Sequence, residues 1–142
     1  MADFIVFDNT TGEIIRSGTC PDDMVTIQAI ESDESVIDST GITLIDIESE
    51  YYVDTTSEIL IEKDDFPGSI DSTSIIANGV DTITVSDIPN SSTLYLLSSI
   101  EEYIITDGSL VLTTKRTGTI YLEFIVNDSV IYKKGEFEIN AS

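Results

Sequence analysis

The sequence predicts a mainly β protein in two parts, a small α+β unit followed by an all-β sandwich. Three observations carry this expectation. Short runs rich in Val, Ile, Thr, Tyr and Phe recur along the chain, separated by Gly, Asn, Asp and Ser. One segment, Pro21 to Ile30, breaks that rhythm with helical spacing. A stretch poor in apolar residues, "EKDDFPGSIDSTS" from Glu62 to Ser74, then interrupts the chain.

The first element is a hairpin. In "DFIVFDNTTGEIIRSG", Phe4 to Phe7 and Glu13 to Arg16 are β-rich and flank the turn-forming "DNTTG". Gly12 supplies the positive φ that tight turns often need.

The helix follows. Pro21 suits a first helical position, where its missing N–H would have had no partner. Asp22 and Asp23 complement the positive end of the helix dipole. Thr19 or Cys20 would cap it, Thr19 with the better chemistry. Met24, Ile27 and Gln28 share one side, with Val25 and Ala29 beside them, so a helix over 21–30 should lie across the hairpin.

Cys20 is the chain's one cysteine. A helix start lowers a thiol pKa, which would favour a reactive cysteine. Two following aspartates oppose that shift, and the chain contains no histidine to activate a thiol. Cys20 is therefore expected to be structural.

The segment "GEIIRSGTCPDDMVTIQA", Gly12 to Ala29, resembles a recurring segment of small tail- and fibre-associated structural proteins of tailed bacteriophages. The shared pattern is G-x-I-x-R-x-G-x-C-P-x-x-M-x-x-Q-A, followed by a "YVD" strand, here within "YYVDTTSEILIEK", Tyr51 to Lys63. The likeness covers about the first half of the chain and is structural in character. Downstream of the helix the chain departs from it with "ESDESVIDSTGITLIDIESE". The resemblance implies a virion component working through other virion proteins, in several copies per particle.

Within that departing stretch, Val36-Ile37 is a lone apolar pair. "ITLIDI" reads as a strand apolar on both faces, with Ile42, Leu44 and Asp46 opposite Thr43, Ile45 and Ile47. Tyr51 to Asp54 and Ile59 to Glu62 form a second hairpin around "TTS". The N-terminal unit thus spans 1–66, with a boundary expected near Phe66 to Ser72 and the second unit over 73–142.

The second unit is all strand signal. Ser74 to Ala77 and Asp81 to Val85 flank Asn78-Gly79, a hairpin cue that a bend in an edge strand would also satisfy. Thr93 to Leu97 and Tyr103 to Thr106 come next. Asp107-Gly108 then suits a primed two-residue turn into Ser109 to Thr114. In Thr119 to Val126, Ile120, Leu122, Phe124 and Val126 point one way, and Tyr121, Glu123, Ile125 and Asn127 the other. Val130 to Lys133 and a run holding Phe137 and Ile139 close the chain. About seven short strands at this spacing predict an immunoglobulin-like β-sandwich. The ending, "GTIYLEFIVNDSVIYKKGEFEI", is also similar to the closing strands of small immunoglobulin-like domains on phage particles.

Charge narrows the function classes. With 27 acidic against 6 basic residues, the net charge is −21. Such a field repels nucleic-acid phosphates and anionic membranes, so neither is an expected partner. The N-terminus lacks a basic n-region and a long apolar run, which implies synthesis in the host cytoplasm. Four N-x-S/T sequons, at Asn9, Asn90, Asn127 and Asn140, are expected by chance in a chain this rich in Ser and Thr. Acids at turns (Asp8 with Asn9 and Glu13, Asp22-Asp23, Asp64-Asp65, Asp128) are turn-formers or caps before they are calcium ligands. No Asp starts an EF-hand pattern with its Gly and Glu in place. A two-carboxylate glycosidase would want aromatic sugar platforms, and there is no Trp. No catalytic residue, cofactor or metal is therefore expected.

What remains is recognition. Of the six tyrosines, Tyr51 and Tyr52 are consecutive, so one ring must leave its own core and could meet a neighbour. Lys115-Arg116 and Lys133-Lys134 hold four of the six basic residues. They could dock on an acidic patch or relieve repulsion. The sequence therefore predicts a virion structural protein of the tail, baseplate or fibre. The alternative is a capsid-decorating or host-surface glycan-binding module.

Overall fold

A computed structural model describes residues 1–43, 45–97 and 101–142. The chain is mainly β, with several sheets, and divides into two compact units, Met1–Asp64 and Asp65–Ser142. No helix among the described residues is long and apolar enough to cross a membrane.

In the first unit, β1 (Ala2–Asp8) lies between β2 (Ile14–Cys20) and β3 (Glu34–Asp38), both antiparallel to it. The expected first hairpin is present and its strands run longer than the apolar core of each. Its turn is built by Asp8, whose Oδ1 accepts the amides of Thr10 and Thr11, both at 2.8 Å. Gly12 has φ +81°, as the turn requires.

The apolar run in β1 is explained by cover on both sides. Ala2, Phe4, Val6, Cys20 and Val25 form one buried cluster. Ile5, Phe7, Ile14 and Val53 form another. A central strand of alternating side chains serves both clusters, so it has no polar face.

The helical segment is shorter and tighter than its spacing suggests, a 3₁₀ helix over Asp22–Gln28. Pro21 stands outside it as the cap, with ψ 142°. Only Val25 is buried, while Met24 and Ile27 are exposed. Consecutive β-branched Val25, Thr26 and Ile27 are stiff at χ1, which disfavours a longer α-helix.

The described residues of 42–47 form no strand where one was expected. Leu44 lies outside the described residues. Ile42 and Thr43 are irregular, and Asp46 adopts a left-handed φ of 53° that turns the chain into a single helical turn, α1 (Ile47–Glu50). Ile42 and Ile45 are exposed, whereas Ile47 packs on the second cluster. The second hairpin is as expected, β4 (Tyr51–Asp54) against β5 (Ile59–Glu62), with Asp54 accepting the amides of Thr56 and Ser57. It is tied to the first hairpin where the Val53 amide donates to the Gly12 carbonyl at 2.9 Å.

The described residues of the second unit form two sheets. β6 (Ser69–Ile70), β8 (Ile83–Ser86) and β11 (Leu110–Leu112) form one, in the order β11-β8-β6. β7 (Ser74–Ile75), β9 (Ser92–Leu96), β10 (Glu102–Ile105), β12 (Gly118–Val126) and β13 (Gly135–Ala141) form the other, ordered β10-β9-β12-β13-β7. Ile83 and Val85 from the first sheet join Leu94, Leu122, Phe124 and Ile139 from the second in one buried core. The expected alternation along β12 holds, with Leu122 and Phe124 inside and Tyr121 and Ile125 exposed.

Several sequence expectations are corrected here. Asn78-Gly79 does not close a hairpin: β7 pairs with β13 in parallel, whereas β8 pairs with β11 and β6. Asn78 Oδ1 accepts the amides of Val80 and Asp81, so this turn carries the chain from one sheet to the other. Asp107-Gly108 behaves alike, because β10 and β11 belong to different sheets. Positive φ at Gly79 and Gly108 was legible, but the partner of each following strand was not. Val130 to Lys133 is not a ladder strand; the regular strand begins at Gly135. Residues 66–72 pack within the second unit, which begins at Asp65. Phe66 stacks on Phe124 with ring centroids 5.4 Å apart and meets Phe137 edge-on at 6.2 Å, and β6 follows at once. A lone Phe among polar residues conceals a long-range ring contact.

Candidate interaction surfaces

The segment Gly12 to Ala29 is occupied with holding the first unit together. Ile14 and Cys20 are buried, one in each cluster. Gly18 faces Phe4 across β1 and β2, and a Cβ there would lie 3.0 Å from the Phe4 ring. Arg16 reaches across to β3: its guanidinium donates to both oxygens of Glu34, at 2.6 and 2.7 Å, and to the Gln28 carbonyl at 2.5 Å. Glu34 in turn accepts the amides of Ile30 (2.8 Å) and Glu31 (3.2 Å). The guanidinium and these amides hold the Glu34 carboxyl at about 2, against an ordinary 4.5. One ion pair therefore closes the end of the 3₁₀ helix onto the sheet.

The turn acids are similarly engaged. Amide hydrogen bonds lower the pKa of Asp8 and Asp54, and the Thr40 hydroxyl and amide lower that of Asp38. Among the described residues, no three acidic or thiol side chains converge into a metal-holding group.

The residues singled out for contact fall in different settings. Tyr51 packs against the second cluster of the first unit. Tyr52 points to the opposite side of β4, across from Ile61, and both rings are half-buried. Lys133 lies 3.9 Å from Asp65. Lys134 sits between Glu136 (3.1 Å) and Glu123 (3.4 Å), and both carboxylates raise its pKa. Glu123 and Glu136 are direct cross-strand partners, an arrangement that repels itself unless a cation intervenes. Lys134 thus relieves repulsion within its own unit.

Lys115 and Arg116 differ. Both are exposed, and neither ion-pairs among the described residues. The Lys115 stem lies over Gly79, where a Cβ would come within 2.6 Å of it. Arg116 borders an open groove of about 360 Å³ floored by Leu96, Leu112 and Ile120.

The broadest feature was not foreseen. On the outer face of the five-stranded sheet, register places Ile104, Thr93 and Ile125 in one row across β10, β9 and β12. The next row is Glu102, Tyr95, Glu123 and Glu136. Beyond it, the Leu97 amide meets the Tyr121 carbonyl, and Tyr121 opposes Glu138. Ile104 is 68% exposed, Leu97 61% and Tyr121 46%. Outward Tyr121 and Ile125 were readable from the alternation of β12. Their neighbours depend on strand pairing, which one-dimensional periodicity does not specify.

The chain matches no family model, no curated protein and no solved structure in comparison with known proteins.

Proposed function

We propose that this chain is a structural component of a tailed-bacteriophage particle, acting in the tail, baseplate or fibre through protein–protein contacts and catalysing no reaction. The observation that carries the reading is the division of labour in the shared motif. Its Ile14, Arg16, Gly18 and Cys20 are all engaged in packing or clamping, which leaves the outer sheet surfaces for partners.

The strand order of the second unit supports an immunoglobulin-like sandwich for that part. Lettered in the immunoglobulin manner, β8 is B, β9 is C, β10 is C′, β11 is E, β12 is F and β13 is G. The sheets then read E-B-A and C′-C-F-G, with β6 and β7 as two halves of strand A shared between them. Such sandwiches host many functions, so the fold favours presentation of surfaces without naming the partner.

The test is removal and restoration. Particles assembled without the chain should stall at a defined step or lose part of the tail, and added purified chain should restore them. Normal particles in its absence would refute the proposal.

The groove beside Arg116 favours a second reading, a capsid-decorating or host-surface glycan-binding module. That reading requires saturable binding of host polysaccharide, weakened by Arg116→Ala.

A further inference from the structure

We infer that the outer face of the five-stranded sheet is a docking surface for a basic protein segment, one presenting Arg or Lys between apolar side chains. The inference rests on the assembly reading above and names the surface and its partner's chemistry.

An antiparallel sheet with one solvated face ordinarily puts polar residues outward. Here the outward positions include Ile104, Leu97, Tyr121 and Ile125, all exposed. Side chains of one row are about 4.8 Å apart across strands, and successive rows on one face about 7 Å apart along them. The three rows make a banded surface: apolar, then carboxylate-rich with Tyr95 among the acids, then apolar and aromatic. A patch of this kind on a soluble domain marks an interaction site.

Charge selects the occupant. Glu102, Glu123, Glu136 and Glu138 face outward, and Lys134 ion-pairs with Glu123 and Glu136, so among the described residues the face carries more acid than base. Two copies of this chain meeting through it would bring carboxylate row against carboxylate row, which disfavours a homodimer here. A basic segment removes the Glu123–Glu136 repulsion that Lys134 relieves only in part. It also finds an anchor: a shallow groove of about 300 Å³ between Leu97, Tyr121, Phe137 and the carboxylates of Glu136 and Glu138. A guanidinium there would lie beside two carboxylates and against an aromatic face. The partner's alternate apolar residues would cover Ile104 and Ile125.

The experiment titrates the full-length, isotope-labelled chain with the synthetic peptide Ac-Arg-Val-Arg-Val-Arg-Val-NH2 and follows backbone amide shifts. Saturable shifts confined to β9, β10, β12 and β13 are expected. The triple variant E123Q/E136Q/E138Q should bind about tenfold more weakly. A control of equal charge, D22N/D23N/D33N in the first unit, should bind as the parent does. Ile104→Thr, a mild change at an exposed position, should also weaken binding. Shifts spread over acidic residues of both units, or equal loss in the two charge variants, would mean nonspecific attraction and overturn the inference. Absence of binding would overturn it too. If the triple variant still assembles into particles, this surface is wrong while the assembly reading stands. If the parent chain never enters particles, the assembly reading itself fails.

Discussion

Replacing Gly12 by Ala tests how the first unit is joined. The residue has φ +81°, and a Cβ would lie 2.0 Å from the Val53 carbonyl oxygen. Three costs add. The left-handed backbone strains an Ala by about 1–2 kcal/mol. Separating the two hairpins loses the Val53 amide to Gly12 carbonyl bond, about 1 kcal/mol. The overlap with backbone, which cannot swing aside as a side chain can, forces a shift costing about 1–3 kcal/mol and disturbs Val53, which is 1% exposed. The sum is about 3–6 kcal/mol. Gly41 is the internal control: its φ is +86°, yet nothing lies within 4 Å of an added Cβ, so Gly41→Ala carries strain alone, about 1–2 kcal/mol. Urea unfolding followed by far-UV circular dichroism, with Tm as a second readout, compares the two. At about 4–8 °C per kcal/mol for a unit of this size, the Gly12 variant should melt at least 8 °C below the Gly41 variant. Equal losses would refute the close approach of Gly12 to Val53.

Glu34→Gln should lower stability at neutral pH by an amount that shrinks in acid. The folded carboxyl titrates at about 2 rather than 4.5, so its contribution is complete above about pH 4.5 and disappears as pH falls toward 2. Urea midpoints of the two proteins should therefore converge across that window, and a constant gap would contradict the Arg16 clamp. A fragment of residues 65–142 should give dispersed amide spectra, whereas 73–142, lacking β6 and the half-buried Phe66 ring stacked on Phe124, should be less stable by about 2–4 kcal/mol, somewhat below the cost of a fully buried aromatic. Lys134→Ala should cost no more than about 1 kcal/mol at low salt and less in 1 M salt, because Lys134 and Glu136 are about half exposed or more and salt screens the Glu123–Glu136 repulsion that the substitution uncovers. A cost that grows with salt would contradict that role.

The sequence made local geometry legible and left pairing hidden. Both hairpins of the first unit could be read because each turn joins strands adjacent in the chain, and Asp8 and Asp54 announce those turns. Asn78-Gly79 and Asp107-Gly108 carry the same chemistry, yet each passes the chain between sheets. Turn residues specify a change of direction, and only the core decides which neighbour the next strand takes. The apolar run at 42–47 looked like a strand because periodicity does not reveal a left-handed Asp46. Among the candidate contacts, the basic pairs could be found by their rarity in an acidic chain. That Lys134 is neutralised and Lys115 and Arg116 are not depends on which glutamates the register brings near. The banded outer face was half visible, in Tyr121 and Ile125, and its other half awaited β9 and β10.

The most direct measurement for the central claim is the copy number of this chain in gradient-purified particles, by quantitative mass spectrometry against the major structural proteins. The account predicts a fixed integer multiple matching the symmetry of one tail, baseplate or fibre assembly, unchanged by a high-salt wash. Absence from the particles, or a trace amount that varies between preparations and washes away, would contradict it.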